Sequence, residues 1–134
     1  MQVNFHHSYK KLKYPKKLLS DTAEKIFKNE KVTLSQTIDV ILCSDYYIKK
    51  LNSDYRNIEK TTDVLSFSFN DPDFLGEIYI SLQRAKVQSE EYGNSYNQEI
   101  LRLFVHGMFH LLGYDHETES EGKIMRRKES RYIE

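Results

Sequence analysis

Tryptophan is absent from this chain, proline occurs twice, glycine five times and cysteine once. Each scarcity removes a class of protein. A lone cysteine, Cys43, leaves no disulfide to form within the chain, so the fold rests on buried apolar surface and a reducing compartment is the simpler setting. Cys43 lies in the apolar run Ile38–Cys43 and reads as a buried thiol. The low glycine and proline content excludes collagen-like and low-complexity disordered chains. No stretch approaches the roughly 18 apolar residues of a membrane span, and the N-terminal MQVNFHHSYKK lacks the apolar segment of a signal peptide. The expected setting is cytoplasmic, with no membrane partner.

Net charge is missing too, with 20 Lys and Arg against 20 Asp and Glu, so global charge makes no case for a polyanion. Its distribution is uneven. Residues 1–31 hold eight Lys against Asp21, Glu24 and Glu30, most densely at Lys10, Lys11, Lys13, Lys16 and Lys17. Such a cluster attracts phosphates if it borders a site, and is otherwise a solvated loop and helix start. His6 and His7, in a weak strand, read as structural or surface residues.

What is present is an ordinary soluble composition, 39% hydrophobic and 30% charged, in 134 residues. That length suits one domain over residues 1–134, able to bury about two-thirds of its unfolded surface. Strand patterns occur at Val3–His7, Thr37–Cys43, Asp63–Phe69 and Gly76–Ser81, the last two joined by the turn residues Asn70, Asp71, Pro72 and Asp73. Helices are expected from Pro15 to Asn29, from a Ser44-Asp45 cap to Tyr55, over Leu82–Glu91, after a Ser95/Gln98 capping box, and over Glu117–Ile133. The order βαβαββααα predicts an α+β fold, a small mixed four-stranded sheet packed with about five helices.

One helix carries the chemistry. In ILRLFVHGMFHLL, Ile100–Leu112, nine of thirteen positions are large and apolar, so the helix is expected to be buried almost all round. Arg102, His106 and His110 stand four apart and form one polar stripe. Gly107 beside the stripe costs the helix about 1 kcal/mol relative to Ala, which room for close packing or for substrate can repay. Gly113 ends the helix, and His116 follows closely enough to return to the same side, giving H-x3-H-x5-H. Three imidazoles at this spacing suit one zinc ion with a coordination position left open for water, and accept nickel, copper or cobalt as well.

His106–His116, HGMFHLLGYDH, closely resembles the H-G-x-x-H-L-x-G-Y-D-H signature of the YbeY family of bacterial rRNA maturation factors. LNSDYRNIEKTTDVLSFSF at Leu51–Phe69 and GEIYIS at Gly76–Ser81 resemble two further blocks of that family. Glu77 departs from the commoner Asp, and Thr61-Thr62 stands where the family often has Pro-Thr. The resemblance implies an active-site helix of the zinc-metalloprotease kind, ligation by His106, His110 and His116, and a catalytic Arg56. It also implies a single-strand-specific endoribonuclease that matures the 3′ end of small-subunit rRNA and serves ribosome quality control. The partners implied are single-stranded RNA or an rRNA precursor, and the ribosomal small subunit or its associated factors.

On that reading a metal-activated water attacks a phosphodiester while Arg56 stabilises the developing charge, the ribose 2′-OH being an alternative nucleophile. The proton acceptor is open. Asp115 is a candidate for orienting His116 or for acting as the base, and Glu77 is a weaker one. Arg102 can reach a phosphate or hold a nearby carboxylate. Two rival functions remain: a non-catalytic assembly factor whose metal only shapes an RNA-binding cleft, and a metalloprotease. A zinc peptidase places Glu after the first His, where this chain has Gly107.

Overall fold

A computed structural model describes residues 2–32, 36–58, 60–69 and 71–133. Among the described residues, four strands and five helices follow the predicted order: β1 (Gln2–His7), α1 (Lys16–Asn29), β2 (Thr37–Cys43), α2 (Asp45–Arg56), β3 (Val64–Ser68), β4 (Phe74–Ser81), α3 (Leu82–Tyr92), α4 (Tyr96–Leu111) and α5 (Glu119–Ile133). The strands form one mixed sheet in the order β1-β2-β4-β3, with β1 and β4 parallel to β2 and β3 antiparallel to β4. This is the expected α+β architecture. Of the predicted β3–β4 turn, Asn70 lies outside the described residues, while Asp71 Oδ1 accepts the Asp73 N–H at 2.8 Å.

Strand alternation divides the molecule into two layers. Ile38, Val40 and Leu42 of β2 and Ile78 and Ile80 of β4 face the main core, built from α1 and α4. Cys43, Leu65 and Tyr79 point to the other face, where Ile48 of α2 meets them. Burial, reinforced by Asp45, pushes the Cys43 thiol up to about 12, so the buried-thiol expectation holds.

Helix starts follow short polar side chains. Ser44, Ser81 and Ser95 each accept the backbone N–H three residues on, capping α2, α3 and α4. The predicted cap at Ser95 is therefore formed. α4 ends in a Schellman motif: Tyr114 N–H donates to Phe109 O, Gly113 N–H donates to His110 O, and Gly113 has φ +100°. Phe109 and Tyr114 pack ring to ring at 5.5 Å across that turn, which aims the following residues back along α4.

α4 lies directly on the sheet at Gly107. A Cβ there would come within 2.8 Å of Ile78 Cγ2 and 3.1 Å of Ser66 Oγ, so the glycine serves close packing. Helix propensity alone would make Gly107→Ala stabilising by about 1 kcal/mol, whereas overpacking a rigid contact costs about 1–3 kcal/mol. The clash is expected to win: Gly107→Ala should lower the urea midpoint with far-ultraviolet circular dichroism unchanged. A raised midpoint would mean that the contact yields freely.

Candidate active site

The polar stripe of α4 opens onto a cavity of about 690 Å3. His106, His110 and His116 meet there, each offering a ring nitrogen within 4.8 Å of the others. His106 Nε2 and His110 Nε2 are 3.1 Å apart. Two nitrogens bound tetrahedrally to zinc stand about 3.3 Å apart, so this donor set fits one such ion with little movement. α4 supplies two of the rings at one-turn spacing, and the Schellman turn delivers the third.

A carboxylate that sequence patterning did not single out orients the first of them. Glu129 on α5 is buried, and its Oε2 lies 3.0 Å from His106 Nδ1. An ionised carboxylate only accepts, so His106 carries its proton on Nδ1 and presents the Nε2 lone pair to the other histidines. Burial, and then the neighbouring His106 and His116, hold the His110 imidazole below its ordinary value, which keeps it neutral and able to ligate.

Arg56 is exposed at the last turn of α2 and lines the same cavity. The helix stops there because Asn57 takes the left-handed conformation, φ 55°, from which Ile58 N–H reaches Asn52 O. Across from Arg56, alternate residues of β3, Val64, Ser66 and Ser68, floor the cavity. Their placement depends on Asp63, whose Oδ1 accepts the Val64 N–H and whose Oδ2 accepts from Gln88 of α3.

The remaining sequence candidates separate. Asp115 lines the cavity, and its Oδ1 accepts the His116 backbone N–H at 2.7 Å, shaping the loop. Arg102 is taken up by Glu99, with Nε and Nη2 donating to the two carboxylate oxygens at 3.0 and 2.6 Å, and Asp63 stands at 4.0 Å. Of the two roles open to Arg102, the geometry supplies the carboxylate partner. Glu77 corrects the sequence reading: it stands opposite Phe67 in the β3–β4 register, lines a groove with Tyr79, and faces α2 on the far side of the sheet from the histidines. β4 alternation, with Ile78 and Ile80 toward α4, puts Glu77 there.

The lysine-rich segment is also remote. Lys13 O accepts from Tyr96 at the start of α4, ten residues or about 15 Å along the helix from His106. It is the solvated loop and helix start. His7 Nε2 pairs with Leu12 O at 2.7 Å in that loop, and His6 stands 3.8 Å from Asp39, both away from the cavity.

The sequence profile described as Endoribonuclease YbeY matches residues 2–134. The chain belongs to the YbeY endoribonuclease family. Relatives named Endoribonuclease YbeY include one from Desulforamulus reducens, 41% identical over 128 residues covering 88% of this chain and 84% of that protein. Another, from Acholeplasma laidlawii, is 42% identical over 127 residues, covering 93% and 89%. The solution structure of TM1509 from Thermotoga maritima is similar in fold, with a TM-score of 0.69 and 32% identity over 98% of this chain and 86% of that one. Within this YbeY-family chain, His106, His110, His116 and Arg56 border one cavity, whereas Glu77 does not.

Two outcomes follow for this YbeY family member. Glu129→Ala should weaken metal affinity by about 10- to 100-fold in competition with a chromophoric chelator, with a smaller loss for Glu129→Gln, whose amide oxygen still accepts. An unchanged affinity would show that Glu129 does not orient His106. Separately, the unfolded metal-free chain binds more protons at His110 than the folded chain does. Stability is therefore lost as pH falls below about 6.5 toward the depressed folded value. Thermal unfolding of chelator-treated protein should show a shallower acid-side decline in His110→Asn.

Proposed function

We propose that this chain is a metal-dependent endoribonuclease that hydrolyses single-stranded RNA, with ribosomal RNA precursors as its substrate class. One observation carries the reading: three histidine nitrogens converge in a cavity that also holds Arg56 and the hydroxyls of Thr62, Ser66 and Ser68, in a chain of the YbeY family. Imidazoles attract a divalent transition ion, and the guanidinium with its hydroxyl neighbours suits a phosphodiester. When bound, a zinc ion supplies Lewis acidity for a phosphoryl oxygen and lowers the pKa of a water to about 7.

The chain's own residues do the rest. The Arg56 guanidinium presents planar donors to the non-bridging oxygens, where negative charge grows as the bond from the attacking oxygen to phosphorus forms and the bond to the leaving ribose oxygen breaks. Ser68, on the strand that the Asp63 contacts hold, offers a hydrogen bond to phosphate or ribose oxygens, while Ser66 gives its proton to Gly107 O. Glu129 keeps His106 in the ligating tautomer. We assign proton acceptance to the second carboxylate oxygen of Asp115, since Oδ1 is occupied by the His116 N–H. Action on the 3′ end of small-subunit rRNA in the cytoplasm, with the ribosomal small subunit or its factors as partners, is supported by the signature match rather than by the cavity.

Proteolysis fits poorly. Position 107, where a zinc peptidase carries its glutamate, faces Ile78 and Ser66 of the sheet and has no room for a side chain. Purified protein should cleave single-stranded RNA, leave casein intact and lose RNA cleavage to a chelator. Arg56→Ala should lower kcat by about 100- to 1,000-fold, the cost of losing one donor aimed at transition-state charge. Arg56→Lys should retain part of it. His110→Ala prepared identically guards against contaminating ribonuclease. Equal cleavage by that variant would overturn the catalytic reading in favour of a metal-shaped RNA-binding factor.

A further inference from the structure

β3 is an edge strand, and its two faces carry different chemistry. Ser66 and Ser68 look into the histidine cavity, while Leu65 and Phe67 look toward α2. On that second face a separate groove of about 250 Å3 is lined largely by aromatic rings, Tyr47, Tyr55, Phe67, Phe69 and Tyr79. Three of them are well exposed, Tyr55 at 72%, Phe69 at 44% and Tyr47 at 43%. Single exposed aromatic residues are commonplace, whereas a contiguous set marks a binding surface.

The rings meet edge to face, Tyr55 with Phe67 at 5.9 Å and 67°, and Phe67 with Tyr79 at 5.8 Å and 83°. Each such contact covers a face of only one ring of the pair, and the exposure of Tyr55 and Tyr47 leaves ring surface open for further stacking. Arg56 links this groove to the histidines, because its guanidinium lies 5.8 Å from the centre of the Phe67 ring while the same side chain lines the catalytic cavity. A phosphate held by Arg56 is thus one residue's reach from an aromatic floor. Lys49 and Lys50 add positive charge on the exposed side of α2.

Continuity with the histidine cavity selects the occupant. Arg56 borders both, so a chain whose phosphate it holds passes the β3 edge, and the flat bases of a single strand, about 3.4 Å apart, suit a row of rings. We propose that the groove is a nucleobase-stacking subsite: a single-stranded RNA with its scissile phosphate at Arg56 turns round the β3 edge and lays neighbouring bases on Tyr55 and Tyr47. The proposal rests on the ribonuclease reading. It also gives a physical source for single-strand preference, since the bases of a duplex are already stacked and paired and cannot splay onto the rings.

Tyr55 is the residue to change, because its exposure lets it be truncated without opening a core. The probe is a short single-stranded RNA carrying a fluorescent adenine analogue beside the cleaved position, mixed rapidly with the purified protein. Wild type and Tyr55→Trp should quench the analogue. Tyr55→Ala should lose the quenching and raise KM roughly 5- to 100-fold, with the loss in KM rather than kcat. Tyr92→Ala, an equally simple truncation of a tyrosine 60% exposed on α3, should behave as wild type. Quenching and KM unchanged in Tyr55→Ala would overturn the stacking subsite and leave the groove to a protein partner, while cleavage by wild type kept the ribonuclease reading intact. Wild-type protein that neither binds nor cleaves the RNA would overturn that reading itself, and the subsite with it.

Discussion

The contact between the backbone of α4 at Gly107 and the pair β3–β4 sets the position of everything chemical in this molecule. With Ile78 and Ser66 pressed against that point, α4 can neither rotate nor lift without opening a void. The rotation it fixes puts Phe104, Met108 and Leu111 into the core and leaves His106 and His110 on the one side that opens to solvent. Ser66 faces the same contact from the strand, 3.4 Å from Gly107 O. A loosely packed helix would let the two histidines wander by more than an ångström, enough to spoil a metal site.

Buried charges then hold register where apolar packing is indifferent to small slides. Glu99 is fully buried and Arg102 answers it with two hydrogen bonds, while Asp63 at the head of β3 stands beside the same guanidinium. At the opposite corner Asp45 accepts from Thr61, Ser81 and Arg84, tying the start of α2 to β4 and α3. Burial pushes the Asp45 carboxyl up, but these hydrogen bonds outweigh it and the net shift is downward. Leaving the buried Glu99 without Arg102 costs about 3–5 kcal/mol, whereas the Asp45–Arg84 pair, 29% and 36% exposed, is screened by solvent and contributes less. Their effect here is to fix the elements that carry the site: α4 to β3 through Arg102, α2 and so Arg56 through Asp45, and α5 to α4 through Glu129 and His106.

Most of the fold was legible because each element obeys one period. TIDVILC alternates and emerged with its predicted ends, and α4 followed from a nearly unbroken apolar surface with one polar stripe. Ends moved where side chains took over backbone hydrogen bonds. Asp63 is lost from β3 because its carboxylate caps Val64, and α5 starts at Glu119 rather than Glu117 because Thr118 accepts the Glu121 N–H. The three histidines were legible because one helix and its terminal turn deliver them within eleven residues. Glu129 was not, since a helix as charged as ESEGKIMRRKESRYI gives no sign of which glutamate faces inward until α5 docks on α4. Glu77 misled for the converse reason. Its strand pattern places it opposite Ile78, but only the order of layers says which face the histidines occupy.

The glycine at position 107 also decides which substrate the site tolerates. A carboxylate beside the first histidine would bring negative charge to the cavity, and two negative charges about 5 Å apart repel by about 3 kcal/mol at an effective dielectric of about 20. A neutral peptide carbonyl escapes that repulsion and can use the carboxylate as a base. Of the acids that border the cavity, Asp63 is engaged by Gln88 and the Val64 N–H with Arg102 nearby, Asp115 gives one oxygen to the His116 N–H, and Glu117 is exposed at the rim. Arg56 borders the same cavity, exposed to solvent and with no ion pair among the described residues. Close packing of α4 on the sheet and tolerance of an anionic substrate therefore make the same demand of one position, the absence of a side chain.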